Sequence, residues 1–141
     1  MQDKRNLHKK MQELIDCFVG TDYLTELGAV QNEPDKEQAP LKWLALAILY
    51  GINENAKKIK IKKDEDGSFR TTIEYRDSSL PSPGGEILEG IFEDFRHMTH
   101  IETDKGKSPL SIGVRDSSLE LEAKIEKENG KEKIELTFPK T

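Results

Sequence analysis

Hydrophobic residues recur at the N-terminal end with the spacing of one helix face. The apolar members of this stripe are Leu7, Met11, Leu14, Ile15 and Phe18. The stripe predicts an amphipathic helix over residues 4–18. Residues 31–40 contain two prolines and almost no apolar side chain, so we expect a polar linker there. We therefore divide the chain into a helix with its linker over 1–40 and a folded domain over 41–141. The helix then either caps that domain or presents its stripe to a partner.

The folded domain is predicted to begin with a buried helix and a hairpin. Residues 41–54 are apolar on nearly all sides, which a helix sustains only when it is buried on more than one side. Beyond Asn55, the period changes from 3.6 to 2, because Ile59 and Ile61 alternate with lysines. The turn residues 64–67 and a second alternating run over 68–76 complete the predicted hairpin.

A second helix and three strands are predicted for the remainder. Ser82 is a suitable N-cap with Pro83 in the first helical position, and an apolar stripe runs from Ile87 to Met98. Alternating runs over 110–125 and 134–138 flank Asn129-Gly130, a strong hairpin signal. The predicted order is α-α-β-β-α-β-β-β. This order is typical of an α+β domain in which helices pack on one face of an antiparallel sheet.

Composition excludes several classes of function. The 141 residues carry a formal charge of −5, and 35% of them are charged against 34% hydrophobic. Such a chain builds one modest core, which excludes a large carrier of apolar ligands. Its acidity argues against nucleic acid as a partner. The N-terminus is charged, no apolar run could span a bilayer, and a single cysteine forms no internal disulfide. We expect a cytoplasmic protein without membrane insertion.

No catalytic constellation is apparent in the sequence. Gly106-Lys107-Ser108 resembles the end of a P-loop, but Ile101 stands where the first glycine is needed and Pro109 where a helix must begin. We interpret this stretch as a flexible turn. Cys17 flanks the apolar stripe and is interpreted as a core residue; the alternative, a nucleophile, would need a basic partner and an electropositive pocket. No nucleophile, base and orienting group can be assembled, so we expect no enzyme and no cofactor.

His97 and His100 are weak candidates for a metal site. They stand three residues apart at the end of a predicted helix, a spacing that two metal ligands can have. Histidines in this position also complement the helix dipole, and no cysteine or dense carboxylate cluster lies nearby in sequence. We therefore expect no metal, and keep a site at these two histidines as the weaker alternative.

A five-residue motif occurs twice, as Arg-Asp-Ser-Ser-Leu over residues 76–80 and over residues 115–119. Asp and Ser favour turns, so the two copies are readily explained as similar turns. Alternatively, they supply equivalent contacts to an anion or a partner. The candidate residues of this second interpretation are Arg76, Ser78, Ser79, Arg115, Ser117 and Ser118. It predicts that the two turns converge in space.

The lysines of the first strand form a second candidate surface. With Ile59 and Ile61 facing the core, Lys58, Lys60 and Lys62 project together into solvent. One interpretation is that these lysines protect an edge strand from pairing with another chain, or are simply solvated. Alternatively, they recognise an acidic protein surface or a phosphate.

Residues 45–61, ALAILYGINENAKKIKI, resemble the start of the second N-terminal, PAS-like domain of type II secretion and type IV pilus assembly ATPases. Asn55-Ala56 takes the place of the family's Gly-Ala, Ile59 and Ile61 that of its two strand isoleucines, and Tyr75-Arg76 that of its Tyr-Arg. The resemblance covers about residues 41 to 138. Lysines replace the family's acidic and histidine positions in the strand, and the ATPase domain with its P-loop is absent from this chain.

The resemblance implies a non-catalytic interaction domain. In that family, arginines of this domain lean towards a nucleotide held by the neighbouring domain. The positions that match are Arg76 and, less directly, Arg70, which would here act on another chain. We therefore expect an adaptor that contacts a protein partner, such as a secretion or pilus component, or a second copy of itself. The alternative is a sensor of a small ligand, nucleotide or phosphate that uses Arg76 and Arg115.

Overall fold

The secondary structure was assigned in a computed structural model that describes residues 7–74, 78–115 and 117–139, with residues 78 and 79 described by their backbone. The helices are α1 (Leu7–Phe18), α2 (Tyr23–Ala29), α3 (Ala39–Asn53) and α4 (Gly85–Thr99), with a 3-10 turn at Val30–Asn32. The strands are β1 (Lys58–Lys63), β2 (Phe69–Glu74), β3 (Ser78–Ser79), β4 (Lys105–Val114), β5 (Ser117–Glu128) and β6 (Lys131–Thr137). The predicted α+β class and element order are confirmed. The structure also contains two elements that the sequence did not predict, the short helix α2 and the two-residue strand β3.

The strands form one antiparallel sheet in the order β3-β2-β1-β6-β5-β4. Its centre is the pairing of β1 with β6, which sets Ile59 opposite Leu136 and Ile61 opposite Ile134. The first strand of the domain is thus an interior strand. The interpretation of Lys58, Lys60 and Lys62 as protection of an edge is therefore wrong, because neighbouring strands occupy both sides of β1.

The core lies between the helices and one face of the sheet. Alternate strand residues such as Ile59, Ile61 and Ile134 are about 1% exposed. Helix α3 is buried on nearly all sides, as its sequence predicts, because the other helices and the sheet surround it. Its Trp43 is fully buried, and the indole Nε1 donates a hydrogen bond to the carbonyl of Pro81 at 3.0 Å.

Helix α1 belongs to the same core. Its Leu7, Met11 and Ile15 are 0% exposed and lie in one hydrophobic cluster with α3 and the sheet. The segment after α2 is also anchored, since Glu33 pairs with Lys42 of α3 at 2.7 Å. This corrects the expectation that residues 1–40 form an appendage. The apolar stripe of α1 is used for packing and offers no surface to a partner.

Residues with positive φ end several elements. Asn55, with φ 59°, follows the C-cap Glu54 of α3, and Asn129 and Gly130 form the β5–β6 turn with φ 52° and 80°, as their sequence predicts. Helix α4 begins at Gly85 rather than at Pro83, which corrects the predicted cap at Ser82. The physical reason is Gly84, whose φ of 100° interrupts the helical path just ahead of α4.

Candidate interaction surface

In the described part of the chain, the helices pack on the face of the sheet that carries Ile59 and Ile61, which leaves the opposite face to solvent. We call this opposite face the outer face. Lys58, Lys60 and Lys62 lie on it, because successive residues of a strand point to opposite sides. The sequence predicts their projection into solvent, and the burial pattern of β1 confirms that they alternate with the buried isoleucines.

Strand pairing adds two more cations to these lysines. Lys62 lies opposite Arg70 on β2 and opposite Lys133 on β6. We define the basic patch as the outer-face residues Lys58, Lys60, Lys62, Arg70 and Lys133. Neighbouring strands are about 4.8 Å apart and alternate residues of one strand about 7 Å apart, so these side chains are close neighbours. The outer faces of β2, β1 and β6 carry only two carboxylates within their described range, Glu74 and Glu135.

Glu135 lies beneath the lysines of the basic patch. Its side chain is 11% exposed, with one carboxylate oxygen 3.3 Å from Lys133 Nζ and the other 3.9 Å from Lys58 Nζ. Burial raises the pKa of this carboxyl, but the hydrogen bond and charge of Lys133 and the charge of Lys58 together hold it below its usual value. The ionised Glu135 orients two of the five cations. Lys133 is also 3.6 Å from Glu126 of β5. Counting Glu74, Glu135 and Glu126, the five cations keep an excess of two positive charges.

The other half of the outer face, on β5 and β4, has mixed charge. Its lysines and glutamates alternate and pair, as in Lys124 with Glu126 at 3.0 Å and Lys107 with Glu122 at 4.0 Å. The hydrogen bond between the first two lowers the pKa of Glu126 and raises that of Lys124. This half of the outer face carries four glutamates against three lysines within the described strands, so the net positive charge of the outer face lies on β2, β1 and β6.

Charge is also segregated between the two layers of the molecule. The helical segments over 7–56 and 80–104 contain fourteen acidic and five basic residues, for a net charge of −9. The strand segments over 57–74, 105–115 and 117–139 contain ten acidic and thirteen basic residues, for a net charge of +3. A chain that is acidic as a whole therefore carries a positive surface on one side. The net charge of −5 does not show this separation of negative and positive charge.

The two Arg-Asp-Ser-Ser-Leu motifs do not converge. Ser78 and Ser79 form the edge strand β3, whereas Ser117 and Ser118 begin β5, next to the opposite edge. Four strand spacings separate β3 from β5, or about 19 Å. The register places Ser117 about 20 Å further along the sheet than Ser78.

The arginines of the two motifs give no joint site either. Arg115 occupies the β4–β5 turn with φ 57°, is exposed, and its guanidinium lies beside Gly20. Arg76 lies outside the described residues. The geometry therefore brings together the lysine candidates and separates the serine candidates.

His97 and His100 are both exposed at the end of α4, with His100 in the left-handed conformation that closes the helix. Within residues 7–74, 78–115 and 117–139, no group of three His, Cys, Asp or Glu side chains is arranged to hold a metal. Cys17 is exposed, so its interpretation as a core residue is wrong. Gly106, Lys107 and Ser108 belong to the extended strand β4, which corrects the predicted flexible turn.

Sequence analysis missed the contact between α1 and the free edge of β4. Gln12 Nε2 donates to the Gly113 carbonyl at 2.6 Å, and the Gly113 amide donates to Gln12 Oε1 at 2.7 Å. His8 Nε2 donates to the Ser111 carbonyl at 2.6 Å. These side chains satisfy backbone groups that a further strand would otherwise bind. The spacing of four residues between His8 and Gln12 is a signal, because it places both on one side of α1.

No protein-family model matches this chain, and no curated protein matches it. In the range that the structure describes, no helix is both long and apolar enough to cross a membrane.

Proposed function

We propose that the protein is a non-catalytic interaction module that binds an acidic partner protein through the basic patch. The single observation that carries this proposal is the meeting of five cations from β1, β2 and β6 on a sheet face that no described helix covers. Charge complementarity of this kind steers encounter and selects partners. It also makes binding sensitive to salt.

The arrangement of the patch fits a binding surface better than it fits lysines that are only solvated. Glu135 holds Lys58 and Lys133 from below, and the strand backbone fixes the spacing of the three β1 lysines. Because Lys58 and Lys133 are already held in place, these two lose less side-chain entropy than free lysines when the patch meets a partner carboxylate. The resemblance to a secretion-ATPase module suggests a secretion or pilus component as the partner, and this stays a prediction.

The test uses charge reversal on the patch and a matched reversal elsewhere. The patch variant is Lys60→Glu with Lys62→Glu, and its control is Lys9→Glu with Lys36→Glu, which makes the same change in net charge at exposed positions of the helical layer. Partners are captured by cross-linking from the lysate of the source cells and identified by mass spectrometry. Each partner is then purified and titrated against the three proteins by calorimetry.

We expect the patch variant to bind a true partner at least about tenfold more weakly, since each lost surface pair contributes up to about 1 kcal/mol and each reversal adds repulsion. The control should bind within about twofold of wild type. An equal loss of affinity in both variants would show that net charge, and not the position of the charges, determines binding. Unchanged binding by the patch variant would contradict the proposal.

A further inference from the structure

Three of the five cations in the basic patch make no ion pair and no side-chain hydrogen bond with any residue that the structure describes. These three are Lys60, Lys62 and Arg70. We call them the cation triangle. Lys60 lies opposite Glu135 on β6, but the two oxygens of that carboxylate are directed to Lys133 and Lys58. The intramolecular carboxylate of the patch is therefore used by the other two cations.

The cation triangle occupies a small area of the outer face. Lys62 and Arg70 are directly opposite each other on β1 and β2, whose backbones are about 4.8 Å apart. Lys60 lies two residues before Lys62 on the same face, at about 7 Å. Like charges directly opposite each other on neighbouring strands destabilise a sheet. An anion that contacts all three side chains relieves this repulsion.

The carboxylates of the adjacent turn do not neutralise the cation triangle. The turn between β1 and β2 contains Asp64, Glu65 and Asp66. Asp66 accepts hydrogen bonds from the amide and the hydroxyl of Ser68 at 2.9 and 2.7 Å, and Glu65 lies beside Gly130 of the β5–β6 turn. Within the described ranges, none of the three turn carboxylates forms an ion pair with the triangle. The triangle is thus open to an anion from outside the chain.

A phosphate group fits three clustered cations better than a carboxylate does. At neutral pH, a phosphorylated side chain carries a charge of about −1.5 to −2 and three strong acceptor oxygens. A carboxylate carries a single charge and two oxygens. The guanidinium of Arg70 can donate two parallel N–H bonds to one phosphate, while the ammonium groups of Lys60 and Lys62 act as point charges. One phosphate can therefore engage all three side chains.

We infer that the cation triangle binds a phosphorylated side chain of the partner protein. This inference rests on the proposed function and names the chemical group that the patch recognises. The triangle lies on a sheet face that no described helix covers, so a free phosphate ion would have only the three cations to hold it. A phosphate that belongs to a protein is also held by the partner's other contacts with the patch. Phosphorylation of the partner therefore strengthens the complex.

Fluorescence anisotropy with three matched peptides tests this inference. The peptides share one acidic sequence and differ only at the centre, which holds phosphoserine, serine, or two glutamates that match the phosphate in charge. Wild type is expected to bind the phosphoserine peptide at least about tenfold more tightly than the serine peptide, and at least about threefold more tightly than the glutamate peptide. A wild type without preference for phosphoserine over the two glutamates would overturn the inference.

Single substitutions locate the phosphate on the cation triangle. Arg70→Ala and Lys62→Ala should each weaken binding of the phosphoserine peptide at least about fivefold and reduce its advantage over the glutamate peptide. The matched control is Lys107→Ala, which removes one exposed cation from the same sheet face outside the basic patch and should bind within about twofold of wild type. Circular dichroism melts establish that all variants fold. Triangle variants that keep the full preference for phosphoserine would contradict the assignment.

The failure of this inference differs from that of the proposed function. If both acidic peptides bind wild type equally and both lose at least about tenfold in the patch variant Lys60→Glu, Lys62→Glu, the phosphate is removed and the patch remains a surface for acidic proteins. Binding of every peptide that is unchanged in the patch variant overturns both.

Two further probes separate the sources of phosphate. Inorganic phosphate that binds as tightly as the phosphoserine peptide would assign the triangle to a free ion and overturn the inference. So would phosphatidylserine vesicles that bind wild type, but not the patch variant, while the phosphoserine peptide shows no preference.

Discussion

The two faces of the sheet show how differently neighbouring residues of one strand are used. Ile61 is 1% exposed against the helices, whereas the next residue, Lys62, is exposed on the outer face between Arg70 and Lys133. The inner face follows from alternation within each strand. The outer face depends on which strands are neighbours, because its charge pattern is made by residues that are far apart in sequence. The inner face therefore carries stability, and the outer face is open to recognition.

The largest expected effect comes from removing the helix that completes the inner layer. Deletion of residues 1–38 takes away the fully buried Leu7, Met11 and Ile15 and exposes one side of α3 to water. Burying each of these side chains stabilises the fold by about 2 kcal/mol or more, while the free energy of unfolding of a small domain is about 5–15 kcal/mol. We expect loss of the cooperative thermal transition in circular dichroism. A truncated protein that melts near the wild-type temperature would show that α1 is dispensable for the fold.

A matched pair of substitutions on β1 compares the two faces directly. Ile61→Ala removes a buried side chain and is expected to lower the free energy of unfolding by about 2–5 kcal/mol in urea titration. Lys62→Ala is expected to change it by less than about 0.5 kcal/mol, while weakening binding through the basic patch. Similar destabilisation by both substitutions would contradict the division between the faces.

The edge of the sheet gives an intermediate effect. Gln12→Ala removes both hydrogen bonds to Gly113 and uncovers its backbone groups, which we expect to cost about 1–3 kcal/mol. Glu13→Ala, an exposed neighbour on α1, is the control and should stay within about 0.5 kcal/mol. Chemical denaturation of both variants measures the difference. A Gln12 variant as stable as its control would show that water replaces the side chain at this edge.

The smallest effect is the acid sensitivity that the outer face contributes. The pKa of Glu135 is held below its usual 4.5 by the nearby lysines, so its ionised form stabilises the folded state above that value and this contribution is lost as the pH falls through the lowered pKa. Wild type should exceed Glu135→Gln by about 0.5 kcal/mol near neutral pH, and the difference should vanish in acid. Urea titrations at several pH values measure it. A difference independent of pH would assign the effect to packing.

The fold was largely predictable because its signals are local. Alternation at Ile59 and Ile61, the period of the α4 stripe and the Asn129-Gly130 turn are each read within a few residues, and each is confirmed. Helix starts depend on finer backbone detail. The start of α4 was predicted wrongly at Ser82-Pro83, because Gly84 has a positive φ of 100° that no helical residue adopts. The position of α1 was missed, because its stripe fits a core and a partner groove equally well.

The candidate surface was predictable only in part, because it is assembled across strands. The lysines of β1 share one face by alternation, but Lys133 joins them through a strand pairing that spans more than half of the chain. The same topology separates Ser78 from Ser117, although their motifs are identical in sequence. A repeated sequence reports local backbone preference, whereas convergence depends on sheet order.

The most direct test of the account maps where an acidic ligand binds. Isotope-labelled wild type is titrated with an oligoglutamate peptide at low salt, and backbone amide shifts are followed by NMR. The account predicts that the largest shifts fall on β1, β2 and β6 around Lys60, Lys62, Arg70 and Lys133, and that they disappear at high salt. Shifts centred on the Arg115 turn or the helical layer, or none at all, would contradict the assignment of the basic patch as the interaction surface.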